Sequence, residues 1–329
     1  MHLNIFVSQS CFLHCKGCYS FSREEEKGKI IPTDKLVKFL EFAYNVGVNK
    51  VTLCGGDPLT REDIIELLEK IKDIGFNISL DTVGSPIIKN VVNDRKITVK
   101  KIYAEKIVNL VDIIGIPIDG STNEIFRRFR QTKDDIVNEQ LEVCKELHKF
   151  GANICINTVA HKGNLEDAQG LANLIKKIDY INKWQIFQYM PLGKIGLKNR
   201  ACFEITDRQF EEFQTVVLEV FDKKIDKVQF KDFNKRKNAY MLIDNSGNAW
   251  IPAIENLHLS KSSYDLNENT IIGNITNQED WYRICSYLDN VQADKLQDIL
   301  RKGTNMKNLG NNLMNVIFEN RGYEKLQSI

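Results

Sequence analysis

The sequence predicts an α/β fold: a partial (β/α)6 barrel of the TIM type, followed by an α+β extension. Three observations predict it. Short β-type runs alternate with amphipathic stretches six times over the N-terminal two-thirds of the 329 residues. Glycines stand just past two of the amphipathic stretches, at Gly75 and Gly151, where a left-handed residue ends a helix. The alternation stops after about Pro191. Strands joined through helices need crossovers, so the sheet is parallel. Six such units fit a barrel better than an open sheet, and spacing alone leaves both possible.

In chain order, Leu3 to Val7 reads as the first strand. Thr33 to Val46 has helical spacing, with Leu36, Phe39, Leu40 and Ala43 on one face. Lys50 to Leu53 is a strand, and Arg61 to Ile74 is a helix with Ile64, Leu67, Leu68 and Ile71 aligned. Phe76 to Leu80 and Val111 to Ile116 are strands, the second following a short helix near Ala104 to Leu110. Asp134 to Phe150 is a helix, Asn153 to Asn157 a strand, Leu165 to Ile178 a helix and Lys183 to Gln188 the sixth strand. The basic segment Lys89 to Lys101 has little pattern and reads as an insertion loop. Beyond the sixth strand come a helix over Asp207 to Phe221, short strands at Tyr240 to Ile243 and Ala249 to Ile251, an Asn-rich loop, and helices from about Gln278. These runs divide the chain into a core barrel, residues 1–200, and an extension, 201–329, expected to cap the barrel mouth.

Composition bounds the function. Hydrophobic residues make up 43% and charged residues 27%, enough for a sizeable core. Lys and Arg total 45 against 44 Asp and Glu, a net charge of +1, which excludes a nucleic-acid-binding field along the whole chain. Mean hydropathy is −0.31 and no apolar run reaches membrane-spanning length. The N-terminus MHLNIFVSQSC has no basic region followed by an apolar one. The expectation is a cytoplasmic protein with reduced thiols. In that setting the eight cysteines point first to metal or catalytic chemistry.

Three of them, Cys11, Cys15 and Cys18, fall within eight residues at the C-terminal end of the first strand. That end of a parallel strand is where α/β folds build sites. A C-x3-C-x2-C run supplies three thiolates and leaves one metal position open. A zinc site with His14 or His2 as fourth ligand is the competing reading. The second strand ends in Gly55-Gly56-Asp57-Pro58. Paired glycines allow close approach to the backbone, and an acidic neighbour can accept from an ammonium. The alternative there is an ordinary strand-to-helix turn.

The cysteine run resembles the signature of the radical S-adenosylmethionine (radical SAM) superfamily, and Gly55-Gly56-Asp57 resembles its Gly-Gly-Glu motif with Asp for Glu. The resemblance implies a [4Fe-4S] cluster on Cys11, Cys15 and Cys18, with S-adenosyl-L-methionine chelating the fourth iron. It implies one-electron reductive cleavage of that cofactor to a 5′-deoxyadenosyl radical that abstracts a substrate hydrogen, with a flavodoxin- or ferredoxin-like protein as reductant. It also implies cofactor contacts at Gly55, Gly56, Asp57 and Pro58, at Asp81 and Thr82 after the third strand, at Asp119 and Arg130 after the fourth, and at Asn157 on the fifth. Arg130 is the expected partner of the methionine carboxylate. Gly17 departs from the family, which often has an aromatic residue before the third cysteine.

Trp184 to Gln188, Asn199-Arg200, Phe203 to Phe213, Ala239 to Gly247 and Gly273 to Ile275 are similar, in order and spacing, to viperin-like radical SAM proteins. Those convert nucleoside triphosphates to 3′-deoxy-3′,4′-didehydro products. Tyr189-Met190-Pro191-Leu192-Gly193 looks more like peptide and small-molecule radical SAM enzymes. Small-molecule, nucleotide and peptide substrates therefore remain open, as does activation of a protein glycyl radical. Lys194, Lys198, Arg200, Arg127, Arg128 and Arg130 would lie at one mouth, which suits an anionic substrate; ordinary loop lysines and arginines are the alternative reading. Cys202 is expected to be packed, with a hydrogen-donor role as the alternative. Cys54, Cys144 and Cys155 are expected in the core, and no second cluster is expected.

Overall fold

A computed structural model describes residues 2–19, 30–92, 98–132, 134–221, 226–236, 240–251 and 271–288. The six predicted strands form as β1 (His2–Ser8), β2 (Lys50–Gly55), β3 (Asn77–Asp81), β4 (Ile113–Pro117), β5 (Ile154–Ala160) and β6 (Lys183–Gln188). Four further strands are β7 (Val228–Lys231), β8 (Tyr240–Ile243), β9 (Asn248–Trp250) and β10 (Ile271–Asn274). All ten form one sheet in the order β7-β6-β5-β4-β3-β2-β1-β8-β9-β10. From β7 to β8 every pairing is parallel, and β9 and β10 add antiparallel. The segment after residue 200 thus supplies strands at both flanks of the six-stranded core.

The helices are α1 (Thr33–Asn45), α2 (Ile64–Ile74), α3 (Ser85–Ile88), α4 (Ala104–Val108), α5 (Asn123–Phe129), α6 (Ile136–Lys149), α7 (Ala168–Lys176), α8 (Gly193–Lys198), α9 (Arg200–Phe203), α10 (Asp207–Val220), α11 (Phe233–Arg236) and α12 (Trp281–Ser286). The apolar stripe predicted for α1 and that for α2 are both buried. Together with α6 they cover one sheet face, where Leu3, Ile5, Val51, Leu53, Ile78, Leu80, Ile114, Ile116, Ile154 and Ile156 are fully or almost fully buried. At about 25 cal/mol per Å2 of apolar surface removed from water, such a layer is the main stabilising term. Gly75 ends α2 with φ 106°, a left-handed conformation that favours glycine.

Strand register sets the other face, which lines the lumen. Phe6 pairs with Cys54, Asp81 with Gly115, Gly115 with Cys155, and Asn157 with Gln185. Paired residues share a face, so polar and thiol groups collect inside the barrel.

Several predicted boundaries change. The second helix begins at Ile64 rather than Arg61, because Pro58–Thr60 forms a 3-10 turn and Arg61 folds inward. The helix predicted from Leu165 is a 3-10 turn, Leu165–Asp167, leading into α7. Val91–Val92 and Thr98–Val99 form a small antiparallel ladder inside the predicted insertion. β7 was not predicted, since Val228–Lys231 is a four-residue strand beside a charged run. The predicted Asn-rich loop and the helices beyond residue 288 lie outside the described residues.

Candidate active site

The cysteine loop leaves the C-terminal end of β1. His14–Cys15 pair antiparallel with Arg130–Gln131, and the Lys16 amide donates to the Phe129 carbonyl at 2.8 Å. The loop is thereby fastened to the end of α5. Cys11 is buried in a cluster with Leu13, Val83, Phe126, Ile136 and Val137, while Cys15 and Cys18 are half-buried. None of the eight cysteines is in a disulfide. His2 starts β1, six residues before Ser8, so a rise of about 3.3 Å per residue sets it roughly 20 Å from that end. His2 therefore cannot complete a metal site with the cysteines. Among the described residues no three His, Cys, Asp or Glu side chains converge on one metal-ion position. A cubane makes a different demand, since each thiolate binds its own iron.

Gly17 has a packing cause. A Cβ there would lie 2.2 Å from the Phe129 ring and 2.8 Å from that of Tyr189. Those rings occupy the space that an aromatic residue before the third cysteine would need.

The glycine turn is zipped onto the same loop. The Gly56 amide donates to Ser8 O at 2.7 Å and the Asp57 amide to Ser10 O at 2.6 Å. Gly55 has φ 126°, and a Cβ on Gly56 would sit 2.1 Å from Ser10 O. Neither position accepts a side chain. Pro58 opens the 3-10 turn, and Asp57 is 1% exposed. Its carboxylate accepts from Leu59 N at 3.0 Å, Thr82 Oγ1 at 2.7 Å and Val83 N at 2.6 Å. Burial pushes its carboxyl up to about 6, although these three donors pull the other way. Asp57 and Thr82 thus lock the β2 and β3 turns to each other rather than presenting their side chains outward.

Asp119 and Arg130 form a buried ion pair through Oδ2 and Nε. Asp119 Oδ1 accepts from Val159 N at 2.7 Å, and Arg130 Nη1 lies 3.9 Å from Cys15 Sγ. Burial favours the neutral guanidine, but Asp119 and Cys15 outweigh it and hold Arg130 charged. A fixed cation therefore stands beside the cysteine loop. Asp81 and Asn157 meet in the lumen, where Asn157 Nδ2 donates to Asp81 Oδ1 at 3.1 Å. Gly115 makes room for them, since a Cβ there would lie 2.0 Å from Asp81 Oδ1. Burial pushes the Asp81 carboxyl up to about 6, opposed by Asn157 and Arg130. The structure thus joins Gly55, Gly56, Asp57, Pro58 and Thr82 in one network, Asp119 and Arg130 in a second beside Cys15, and Asp81 and Asn157 in a third.

At the predicted basic mouth the arginines are engaged within the chain. Arg127 donates to Thr132 O and Asp134 O, Arg128 pairs with Glu124, Arg130 with Asp119, and Arg200 with both oxygens of Glu204 at 2.7 and 2.8 Å. Arg128, Arg130 and Arg200 thus face carboxylates, whereas Arg127 donates to two carbonyls. Cys202 is exposed rather than packed. Cys144 lies in the core as expected, and Cys54 and Cys155, also buried, sit in lumen-facing rows. Sequence reasoning missed Arg61, which is 4% exposed and donates to Val7 O and Ile31 O, binding the glycine turn to the end of β1. Its place just after Gly-Gly-Asp-Pro-Leu-Thr was the only signal. It also missed Arg236, whose guanidinium lies over the Phe187 ring at 5.2 Å and the Tyr240 ring at 5.8 Å.

Comparison with known proteins places the chain in a family. The family model for the Radical SAM superfamily matches residues 5–175. An S-adenosylmethionine-dependent nucleotide dehydratase of Lacinutrix mariniflava is 22% identical over 253 residues, 74% of this chain and 49% of that one. The chain thus spans about half the length of that relative. A probable GTP 3′,8-cyclase of Methanococcus aeolicus is 22% identical over 245 residues, covering 73% of each chain. Streptococcus suis SuiB, solved bound to its precursor peptide SuiA, shares the fold with TM-score 0.61 at 15% identity, covering 88% of this chain and 65% of that one. No helix among the described residues is long and apolar enough to cross a membrane. The chain belongs to the radical SAM superfamily, enzymes whose cofactors are a [4Fe-4S] cluster and S-adenosylmethionine.

Proposed function

We propose that Cys11, Cys15 and Cys18 hold the cluster and that this enzyme acts on a nucleotide. The observation that carries the cluster assignment is the cysteine loop itself. Three thiols outside any disulfide sit on a loop fastened to the Gly55–Gly56 turn, with the Arg130 guanidinium beside Cys15. Three soft ligands on a shielded loop suit an iron–sulfur cluster with one open iron. The bound cofactors supply the electron and the 5′-deoxyadenosyl radical; the chain supplies ligation, orientation and shielding. Gly55, Gly56 and Pro58 form the close-approach surface for the methionine end of S-adenosylmethionine. Asp57, Thr82 and Asp119 hold the turns that present it, and Arg130 faces it. Asp81 and Asn157 face the ribose from the lumen.

The nucleotide reading is supported by the named activities of the two sequence relatives, which align over nearly three-quarters of this chain. A peptide substrate is the second reading, favoured by the fold shared with SuiB. Residues 1–200 serve as the radical-generating core, and the extension closes the barrel around the substrate. Eight thiols outside disulfides favour the reducing cytoplasm. Anaerobic reconstitution tests the cluster: about four irons and four sulfides per chain are expected, and one zinc with no iron overturns it. With dithionite and S-adenosylmethionine, nucleoside triphosphates should raise 5′-deoxyadenosine release above background. If only a peptide does so, the nucleotide reading fails and the radical SAM chemistry stands.

A further inference from the structure

β6 and β8 are separated in the sheet by β5, β4, β3, β2 and β1, yet one side chain touches both. Arg236 donates from Nη1 to Gln188 O at 2.9 Å, on β6, and from Nη2 to Tyr240 Oη at 3.1 Å, on β8. Its guanidinium rests on the rings of Phe187 and Tyr240. The sheet therefore curls until its flanks nearly meet, and Arg236 spans the gap. Phe187 lies in the row with Gln185, which pairs with Asn157, and Tyr240 pairs with His2 in the row of Asn4 and Phe6. Both are lumen-facing rows, so the guanidinium borders the same chamber as Asp81 and Asn157.

Arg61, Arg128, Arg130 and Arg200 meet carboxylates, and Arg127 donates to two carbonyls. Arg236 is half-buried and meets only a carbonyl, a phenol oxygen and two ring faces. No carboxylate among the described residues pairs with it, and its Nε is buried without a partner. A half-buried cation lacking a counter-charge is unfavourable. Ring faces and neutral acceptors fix its position and offset part of that cost without cancelling its charge. Nη1 and Nη2 each make one of these bonds and keep a second N–H, and a planar guanidinium with donors to spare matches an oxyanion.

We propose that Arg236 is the substrate-anchoring residue of the barrel and that the substrate presents an oxyanion, phosphate or carboxylate, to it. This rests on the radical SAM reading, in that the chamber holding the anion is the one the cofactors face. Inorganic triphosphate and, separately, citrate should be titrated calorimetrically into reconstituted enzyme. The wild type should bind one of them saturably, which also tells phosphate from carboxylate recognition. Arg236→Gln should weaken that binding at least tenfold, and Arg236→Lys, which keeps the charge, by less. In the wild type the bound anion should slow hydrogen exchange in peptides spanning residues 228–243, a readout independent of how the variants fold. Equal binding by wild type and Arg236→Gln, no saturable binding of either anion, or unchanged exchange there would overturn the proposal. Release of 5′-deoxyadenosine by the wild type is a separate measurement, so loss of anion binding and loss of the radical chemistry are told apart.

Discussion

At the end of β1, Asp57, Asp119 and Arg130 have their polar groups taken up by one another, by Thr82 and by backbone amides. Across the lumen, between β6 and β8, Arg236 keeps an Nε without a partner and a charge without a counter-charge. In the function proposed above, the first region would hold a fixed shape for cofactors that do not vary. The second, on the same proposal, would leave binding capacity for a molecule that arrives and departs. A buried polar group that is fully satisfied stiffens its surroundings, whereas one left unsatisfied invites a ligand.

The largest expected effect breaks the cofactor side outright. Cys15→Ala removes one thiolate and leaves Arg130 Nη1 facing a methyl group. Iron content per chain should fall below half of the wild-type value, and 5′-deoxyadenosine release should drop to background. A variant that retains both would remove Cys15 from the ligand set.

Next is Asp57→Ala. It strands the Thr82 hydroxyl and the Val83 amide in a buried site, so a loss of about 3 kcal/mol in unfolding free energy is expected. The pH response of Asp57 tests the same contact. Its folded carboxyl titrates near 6 against an ordinary 3.8. The folded state then holds the proton more tightly than the unfolded chain. This contribution to stability is fully present below about pH 4 and is lost as pH rises through 6, about 3 kcal/mol in all. Asp57→Asn should flatten that part of the stability profile between about pH 4 and 6 in denaturant titrations. An unchanged slope would assign it to another group.

A smaller effect is expected at Gly17. Gly17→Ala pushes a methyl group into the rings of Phe129 and Tyr189, an overpacking cost of about 1–3 kcal/mol. It should lower cluster occupancy on reconstitution while leaving Cys11, Cys15 and Cys18 present. Undiminished occupancy would mean that the rings yield easily.

The two regions differed in how far sequence revealed them. The cysteine run and the glycine turn are contiguous, and their neighbours in sequence are their neighbours in space, so Cys11 to Cys18 and Gly55 to Pro58 could be read directly. The helix faces of α1 and α2 were legible for the same reason: periodicity is local. Arg236 was not, because its meaning comes from Phe187 and Tyr240, which lie 49 residues before it and 4 after it and meet it only through sheet curvature. The basic mouth was only partly legible for a related reason. Arg127, Arg128 and Arg200 read as a charged patch, but whether a cation is available depends on the carboxylates and carbonyls that folding brings beside it.

That dependence yields the smallest expected effect. Arg200 holds Glu204 through both carboxylate oxygens one helical turn away, with both side chains about a third exposed. A partly exposed pair of this kind contributes only a few tenths of a kcal/mol to stability. Arg200→Gln should therefore shift the unfolding midpoint by less than about 2 °C. Its carboxylate partner already cancels the charge, so affinity for inorganic triphosphate should change less than twofold, measured by the same calorimetry as for Arg236. A tenfold loss at Arg200 with none at Arg236 would reverse the comparison, moving the anion site from the gap between β6 and β8 to the mouth that the sequence first pointed to.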